Sequence, residues 1–263
     1  MYKAIKIFTF FILLCVFTSC RSLMDLNINP SSNYSDLVFE DNFDDIVIDS
    51  EGWYCAEQGL NYNNEDQAYI CDQVSVRNGL LVLSAEKENW SGDSGRADRP
   101  GVVFQSYVSG ELNSIKSWKY GKFEIRAKIP PQTQGILSAI WLTPSDKLLW
   151  PPEIDVMEVL GHDPSTVYFT SHYGTQSNHK RHSGKKENLS LSDDFHIYSI
   201  TWNETSITWL IDDEEYYKVT EDIPHIPMIL RISLPVGPDW EGDPVDPSVF
   251  PQSFIIDWVK IYQ

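Results

Sequence analysis

The sequence is short of basic residues. Its 263 residues include 20 Lys and Arg against 38 Asp and Glu, which gives a formal net charge of −18 at pH 7. Nucleic acids and anionic membrane surfaces bind proteins through clustered Lys and Arg, so the composition argues against both as partners. The acidity itself has two interpretations. It suits an aromatic-rich surface that binds neutral sugars, or it simply keeps an exported protein soluble.

Cysteine is also scarce, with four residues in the chain. Cys15 and Cys20 lie at the N-terminal end, which leaves Cys55 and Cys71 for the folded part. The spacing of this pair does not resemble a zinc site. A disulfide between them and two buried free thiols are both compatible with the sequence, because export would permit a disulfide.

A hydrophobic run long enough for a permanent membrane span is lacking. The apolar run from Ile7 to Phe17 is too short, but it follows a short basic segment and precedes small residues and Cys20. This order is typical of an export signal, with an ordinary cleaved signal as the alternative to a bacterial lipoprotein. The lipoprotein interpretation predicts a monomer that is exported and held at a bacterial membrane, the outer membrane, only by lipid on Cys20. Its predicted segments are a signal peptide (1–19), a tether (20–35) and one folded domain (36–263).

Helical periodicity is missing from Leu37 onward. Short runs of β-forming residues recur instead, separated by clusters of Gly, Pro, Asn and Asp, which predicts an all-β sandwich or barrel. Asn78-Gly79 and Asp212-Asp213 predict tight hairpin turns. The predicted strand regions are Val74–Ser84 (with the Asn78-Gly79 turn), Lys122–Ile129, Ile136–Leu142, Ile154–Val159, Thr166–His172, His196–Trp202, Ile207–Ile211 and Phe254–Tyr262.

Three acids crowd into the segment from Glu153 to Glu158. Strand alternation places Glu153 and Asp155 on one face, and Glu158 joins them only if a β-bulge at Val156-Met157 adds one residue. Carboxyl groups at this density raise each other's pKa values. Retaining glycosidases use two carboxyl groups about 5–5.5 Å apart, one as nucleophile and one as acid. The alternatives are a solvated acidic strand and a cation site.

The acid segment fits the E-x-D-x-x-E signature, in its bulged form, of glycoside hydrolase family 16. This family includes bacterial laminarinases and related endo-glucanases and galactanases. The sequence resembles the family in further segments that follow the same order along the chain. They are Leu37–Phe43, Asn63–Gln67, Tyr120–Lys128, Asp194–Tyr198 and Asp257–Gln263.

The resemblance implies a concanavalin-like jelly-roll sandwich of two curved antiparallel sheets with an open concave cleft, and therefore endo action. It implies that Glu153 is the nucleophile, Glu158 the general acid/base and Asp155 an assisting acid. The resemblance implies that the enzyme requires no cofactor. It places Asp257 where a structural calcium often binds, although one acid is weak evidence for such a site. Sugar contacts are expected from Asn64, Trp118, Trp141, His172 and Trp240. For Trp and His in a sandwich, a structural role is a common alternative.

One departure from the family concerns the substrate. Many laminarinases carry an Arg after the Ser-Gly that corresponds to Ser109-Gly110, whereas this chain has Glu111. The reversed charge is expected to change which hydroxyl groups are favoured, or to reject anionic sugars. The predicted partner is a β-linked polysaccharide, β-1,3- or β-1,3/1,4-glucan. The alternatives are an endo-β-galactosidase acting on host O-glycans or algal galactan, and a non-catalytic glycan-binding surface lipoprotein on the same fold.

Overall fold

The computed structural model describes residues 34–61 and 63–263. The predicted signal peptide, Cys20 and most of the predicted tether lie outside the described residues. Tyr34–Gln263 forms one compact unit. Across the described part of the chain, no helix combines the length and the apolar character needed to cross a membrane.

The described residues fold almost entirely as strands. Three short 3-10 helices, Cys71–Gln73, Lys147–Leu149 and Pro247–Val249, interrupt them. The strands are β1 (Leu37–Asp41), β2 (Trp53–Cys55), β3 (Gln67–Tyr69), β4 (Val74–Val76), β5 (Leu81–Glu86), β6 (Trp90–Asp93), β7 (Val102–Gln105), β8 (Tyr107–Ser109), β9 (Glu111–Trp118), β10 (Gly121–Lys128), β11 (Leu137–Thr143), β12 (Glu153–Leu160), β13 (Val167–Thr175), β14 (Asn178–Lys186), β15 (His196–Trp202), β16 (Ile207–Ile211), β17 (Glu214–Val219), β18 (Met228–Ser233) and β19 (Gln252–Tyr262).

Two large sheets form a sandwich. The ten-stranded sheet has the order β17-β16-β15-β10-β19-β5-β8-β3, with β1 also paired to β19 and β4 to β5. The seven-stranded sheet has the order β14-β13-β12-β11-β18-β9-β2. Pairing is antiparallel except between β3 and β8 among the described strands. This arrangement confirms the predicted all-β jelly-roll sandwich.

The core lies between the two sheets. Alternate residues of each strand enter it, as in β10, where Phe123 and Ile125 are buried while Lys122 and Glu124 remain partly exposed. In β12 the buried side chains of Ile154, Val156, Met157 and Val159 belong to the same core cluster. The catalytic candidates Glu153, Asp155 and Glu158 therefore project from the outer face of the seven-stranded sheet, away from the core.

Local turn chemistry fixes two hairpins at the predicted places. Asn78 (φ 55°) and Gly79 (φ 73°) join β4 to β5, while Asp212 (φ 51°) and Asp213 (φ 65°) join β16 to β17. Two successive residues with positive φ form the type I′ turn that matches the twist of paired strands. The predicted strands at His196–Trp202 and Ile207–Ile211 have the same bounds in the structure.

Cys55 and Cys71 form a disulfide, with their Cα atoms 5.4 Å apart. The sequence was compatible with a disulfide or with two free thiols, and the structure contains the disulfide. It links the end of β2 to the short 3-10 helix that follows β3. The bond thus ties the edge of the seven-stranded sheet to the segment that leads into the other sheet.

Candidate active site

The acid strand β12 contains the expected β-bulge. On one side, Asp155 and Met157 of β12 pair with the successive residues Trp141 and Ile140 of β11. On the other side, three steps from Asp155 to Glu158 match two steps along β13. One extra residue in β12 resets the alternation, so Asp155 and Glu158 reach the same face although they are three residues apart.

Residues that pair across neighbouring strands form three rows on the outer face of the seven-stranded sheet. Each row runs perpendicular to the strands and contains one of the three acids. The rows are Tyr54–Asn113–Arg231–Trp141–Asp155–Thr170–Ser183, then Glu111–Ser233–Ala139–Glu158–Tyr168–Lys185, and Glu153–His172–Arg181. Polar and aromatic side chains dominate them, so an extended polar chain laid across the strands would cross β12 at the acids.

Glu153 lies in a partly buried position with two donors beside it. The indole Nε1 of Trp150 donates to Glu153 Oε2 at 2.9 Å, and His172 Nε2 lies 3.6 Å from Glu153 Oε1. Burial, followed by the charge of Asp155, raises the pKa of Glu153 from 4.5 to about 8. The charge of His172 and the Trp150 hydrogen bond oppose this rise. These two neighbours stabilise the ionised form that a nucleophile needs.

Glu158 has a different environment. Burial, then the charges of Asp155 and Glu153, raise the pKa of Glu158 well above 4.5. Arg181 on β14 is the neighbour that lowers it. Glu158 is therefore held as a neutral acid, which is the form that donates a proton to a leaving group. The carboxyl groups of Glu153 and Glu158 therefore lie within electrostatic range of each other.

Asp155 connects the acids to a pair of histidines. His172 Nε2 lies 3.0 Å from Asp155 Oδ2, and His172 Nδ1 lies 2.7 Å from His179 Nε2 on the neighbouring strand β14. Burial lowers the pKa of His172, but the hydrogen bond and charge of Asp155, together with the charge of Glu153, outweigh it and raise that pKa. Burial, followed by the charge of His172, lowers the pKa of His179. The predicted site residue His172 thus lies beside both Asp155 and Glu153.

Among residues 34–61 and 63–263, one group of three side chains could bind a metal ion, and it lies in this site. Glu153, Asp155 and His172 each offer one ligand atom, and these atoms lie within 4.8 Å of one another. Asp257 is not in this set. Its carboxylate forms an ion pair with Arg126 on the opposite sheet from the acids. The predicted calcium at Asp257 stays a prediction.

The half of the outer face beyond β11 contains a buried charge pair. Arg231 Nη1 and Asn113 Nδ2 each lie 3.0 Å from Glu111 Oε1, and the Arg231 guanidinium lies 4.9 Å from the ring centre of Trp141. Trp141 also donates from Nε1 to Ser233 at 3.2 Å. Arg231 on the next strand neutralises the Glu111 carboxylate, and the expected effect of the reversed charge on sugar preference stays a prediction.

Two further predicted site residues lie near one another at the edge of this face. Trp240 is 48% exposed, and its ring centre lies 4.8 Å from that of Tyr168, the residue paired with Glu158. Asn64 donates from Nδ2 to both carboxylate oxygens of Asp239, next to Trp240, at 3.2 and 3.0 Å. An exposed indole beside the acid strand is suited to stack on the apolar face of a sugar ring.

Trp118 does not belong to the site. It is 2% exposed and lies opposite the core residue Met228, with its ring packed edge-on against Phe39 and Phe123. Trp118 and the core residue Leu112 are an even number of residues apart on β9, and the register shift against β18 adds two residues to β9, so alternation places both side chains on the core face. The prediction of a sugar contact at Trp118 is therefore wrong.

Sequence reasoning missed several residues of the site. Trp150, His179, Arg181 and Arg231 all contact or influence the acids or their neighbours. Of these, Trp150 had a local signal, since it lies three residues before Glu153. His179 and Arg181 lie on the polar strand β14, which lacks the apolar alternation that indicates a strand. Arg231 is flanked by apolar residues in β18 and pairs with an acid 120 positions earlier.

Two acids on one face of a jelly-roll sandwich, beside an exposed indole, are the arrangement expected of a glycoside hydrolase. Comparison with known proteins gives the family. Residues 61–260 match the model of glycosyl hydrolases family 16. The chain belongs to this family.

Known relatives cover nearly the whole chain. A β-glucanase of Rhodothermus marinus is 30% identical over 95% of this chain and 93% of its own length. The catalytic domain of an endo-1,3-β-glucanase (laminarinase) from Thermotoga petrophila RKU-1 is 32% identical, with a TM-score of 0.76 over 87% of this chain and 97% of that one. The chain spans 47% of the length of an endo-1,3-1,4-β-glycanase of Rhizobium meliloti, to which it is 32% identical.

A second solved structure comes from a study of endo-acting O-glycanases that prominent members of the human gut microbiota express to initiate mucin breakdown. It is 29% identical, with a TM-score of 0.76 over 86% of this chain and 90% of that chain. Its similarity is comparable to that of the laminarinase domain. Fold similarity alone therefore does not separate the two substrate classes.

Proposed function

We propose that the chain is a retaining endo-hydrolase of β-1,3- or β-1,3/1,4-glucan, of the bulged E-x-D-x-x-E subgroup. The observation that carries this proposal is the bulged strand β12, which presents Glu153, Asp155 and Glu158 on one face. The names of the β-glucanase and laminarinase relatives support the choice of glucan. The rows of polar and aromatic residues across seven strands support an extended chain as the substrate.

The neighbours of each acid support these roles, because His172 and Trp150 stabilise ionised Glu153 while burial favours protonated Glu158. The ionised oxygen of Glu153 attacks the anomeric carbon while Glu158 gives its proton to the departing glycosidic oxygen. This step breaks the glycosidic bond and leaves a sugar esterified to Glu153. Glu158, now ionised, takes a proton from water, and the resulting attack on the anomeric carbon releases Glu153 and restores the starting state. Asp155, between the two, hydrogen-bonds Glu153 and His172.

A panel of polysaccharides tests the substrate. Laminarin, mixed-linkage barley glucan, cellulose, agarose and gastric mucin should be incubated separately with the purified chain and their products sized. We expect internal cleavage of laminarin or barley glucan and none of cellulose. NMR of the first product should show the β-anomer, as retention requires. An initial α-anomer would contradict the double displacement.

A second candidate function is an endo-glycanase of mucin-type O-glycans, including an endo-β-galactosidase. Two observations favour it: the O-glycanase-related structure at 29% identity, and Glu111, paired with Arg231, at the position where many laminarinases carry an Arg. The paired charges present hydrogen-bonding groups different from those of a single guanidinium. Release of oligosaccharides from mucin, with laminarin left intact, would favour this candidate.

A non-catalytic glycan-binding role fits the site less well. A binding protein has no need of two carboxyl groups whose pKa values burial and mutual repulsion raise, because such a strand is destabilising. Lipid attachment at Cys20 and location at the outer membrane remain proposals that rest on the N-terminal sequence. Radiolabelled palmitate incorporation into the full chain, lost in Cys20→Ala, would test the anchor.

A further inference from the structure

Trp209 reaches across the core to the acid strand. It lies on β16 in the ten-stranded sheet, and its indole Nε1 donates to the backbone carbonyl oxygen of Asp155 at 2.8 Å. Trp209 has no exposed surface. This hydrogen bond links the sheet behind the site to the strand that carries the three acids.

The accepting carbonyl lies at the start of the bulge. Register slips between Asp155 and Glu158, and the next two side chains, Val156 and Met157, both enter the core. A bulge removes backbone groups from regular strand pairing. A carbonyl that turns toward the core at such a point needs a donor within the core, because water cannot reach it. The indole N–H is that donor.

The indole is itself held in place. Its ring centre lies 5.3 Å from that of Tyr217 and 6.4 Å from that of Phe169. Phe169 lies on β13 between Tyr168 and Thr170, the residues that pair with Glu158 and Asp155. Trp209 therefore contacts both strands at the point where their register slips, and the aromatic neighbours restrict its movement.

We propose that Trp209 is a positioning residue for hydrolysis, and that its N–H holds the Asp155 peptide in the bulged conformation that brings Asp155 and Glu158 to one face. It touches neither the substrate nor the reacting atoms. Without this donor the peptide turns toward regular strand geometry, and Glu158 moves out of line with the bond that it protonates. The inference rests on the acid roles proposed above.

The chain supplies a matched control in Trp202. This residue is also fully buried between the sheets, and its Nε1 donates to the backbone carbonyl oxygen of Pro224 at 3.1 Å. Trp202 lies on β15, and Pro224 lies outside the acid strand. Trp209→Phe and Trp202→Phe each remove one buried indole donor and similar volume, so their effects on folding should be alike.

Enzyme kinetics, measured on a glycan that the wild-type protein cleaves, distinguish a positioning role of Trp209 from a purely structural one. For Trp209→Phe we expect kcat to fall on the order of 100-fold with KM unchanged, because small displacements of catalytic groups cost about that much. For Trp202→Phe we expect kcat close to wild type. Equal losses in the two variants, or an unchanged kcat in Trp209→Phe, would overturn the proposal.

A second substrate, which needs little proton donation, tests whether Glu158 is the group that Trp209→Phe displaces. On a dinitrophenyl glycoside of the same sugar, the leaving group departs with little proton donation. The loss of kcat/KM in Trp209→Phe should therefore be much smaller than on the glycan. A loss of equal size on both substrates would count against displacement of Glu158.

Two further experiments apply if Trp209→Phe folds poorly or if the wild-type chain shows no activity. If Trp209→Phe does not fold, benzothienylalanine at position 209, in which sulfur replaces the indole N–H, keeps the ring size and removes only the donor. The same kinetic results are expected of it. If the wild-type chain cleaves no glycan, the proposed function fails, and a crystal structure of the position-209 variant still decides the inference. Glu158 turned off the face of Asp155 supports it, and an unchanged bulge refutes it.

Discussion

Replacing Glu153 with Gln is expected to abolish catalysis and to stabilise the fold at alkaline pH. Burial and the charge of Asp155 raise the pKa of Glu153 from 4.5 to about 8. The native state thus holds this proton more tightly than the unfolded chain. The resulting contribution to stability is complete below pH 4.5 and is lost as the pH rises through about 8. Gln has no proton to lose, so the variant stays neutral at every pH.

The size of the effect follows from the shift. A rise from 4.5 to about 8 corresponds to at most about 5 kcal/mol. The side chain of Glu153 keeps 17% of its surface exposed, so water relieves part of this penalty. We expect a gain of about 2 kcal/mol for the variant at alkaline pH relative to acidic pH. For a domain of this size, that gain raises Tm by about 4–8 °C.

Calorimetry at two pH values measures this gain. Wild type and Glu153→Gln should unfold at similar temperatures near pH 5, where the wild-type carboxyl is protonated. At a pH above about 8 the variant should unfold at the higher temperature. Glu57→Gln, a change of the same chemistry at an exposed position, is the control and should show no such divergence.

Two results would refute the reasoning. A Tm difference between wild type and Glu153→Gln that is the same at both pH values would mean that folding does not raise the pKa of Glu153. A variant that retains substantial hydrolytic activity would mean that Glu153 is not the nucleophile. The two readouts are independent, so one can fail without the other.

Three other predictions concern the neighbours of the acids and the disulfide. Trp150→Phe removes a donor that lowers the pKa of Glu153, so the acidic limb of the pH profile of kcat/KM should move to higher pH. An unchanged acidic limb would mean that Trp150 does not influence ionisation of the nucleophile. Glu111→Gln leaves the buried charge of Arg231 without its partner and should cost about 3–5 kcal/mol in chemical denaturation. Adding Arg231→Met should recover most of this loss, and no recovery would mean that the pair is not the cause. Reducing the disulfide, whose cysteines are 16 residues apart, should lower the free energy of unfolding by about 3 kcal/mol; an unchanged denaturation midpoint would contradict this.

The predicted strands and turns were encoded locally. Alternating apolar residues gave the bounds of β15 and β16, and Asn78-Gly79 specified its hairpin. The bulge in β12 could also be inferred, because Glu158 is out of phase with Glu153 and Asp155 in a regular strand. A repeating side-chain period and a turn dipeptide act over a few residues, so the sequence carries them directly.

Long-range register could not be inferred in the same way. The burial of Trp118 depends on packing against Phe39 of β1, and no local pattern near Trp118 indicates that contact. The polar strand β14, which brings His179 and Arg181 to the acids, has no buried stripe to mark it. Its position follows from pairing with β13.

The amino-acid sequence by itself determined the all-β class, the acid strand with its bulge and the resemblance to a hydrolase family, since each depends on spacing within a short segment. Only the tertiary structure decided the environment of the acids. Burial sets their pKa values, Arg231 neutralises Glu111 from another strand, and Trp209 reaches the bulge from the opposite sheet. These contacts join residues tens of positions apart, and their existence depends on how the two sheets pack as a whole.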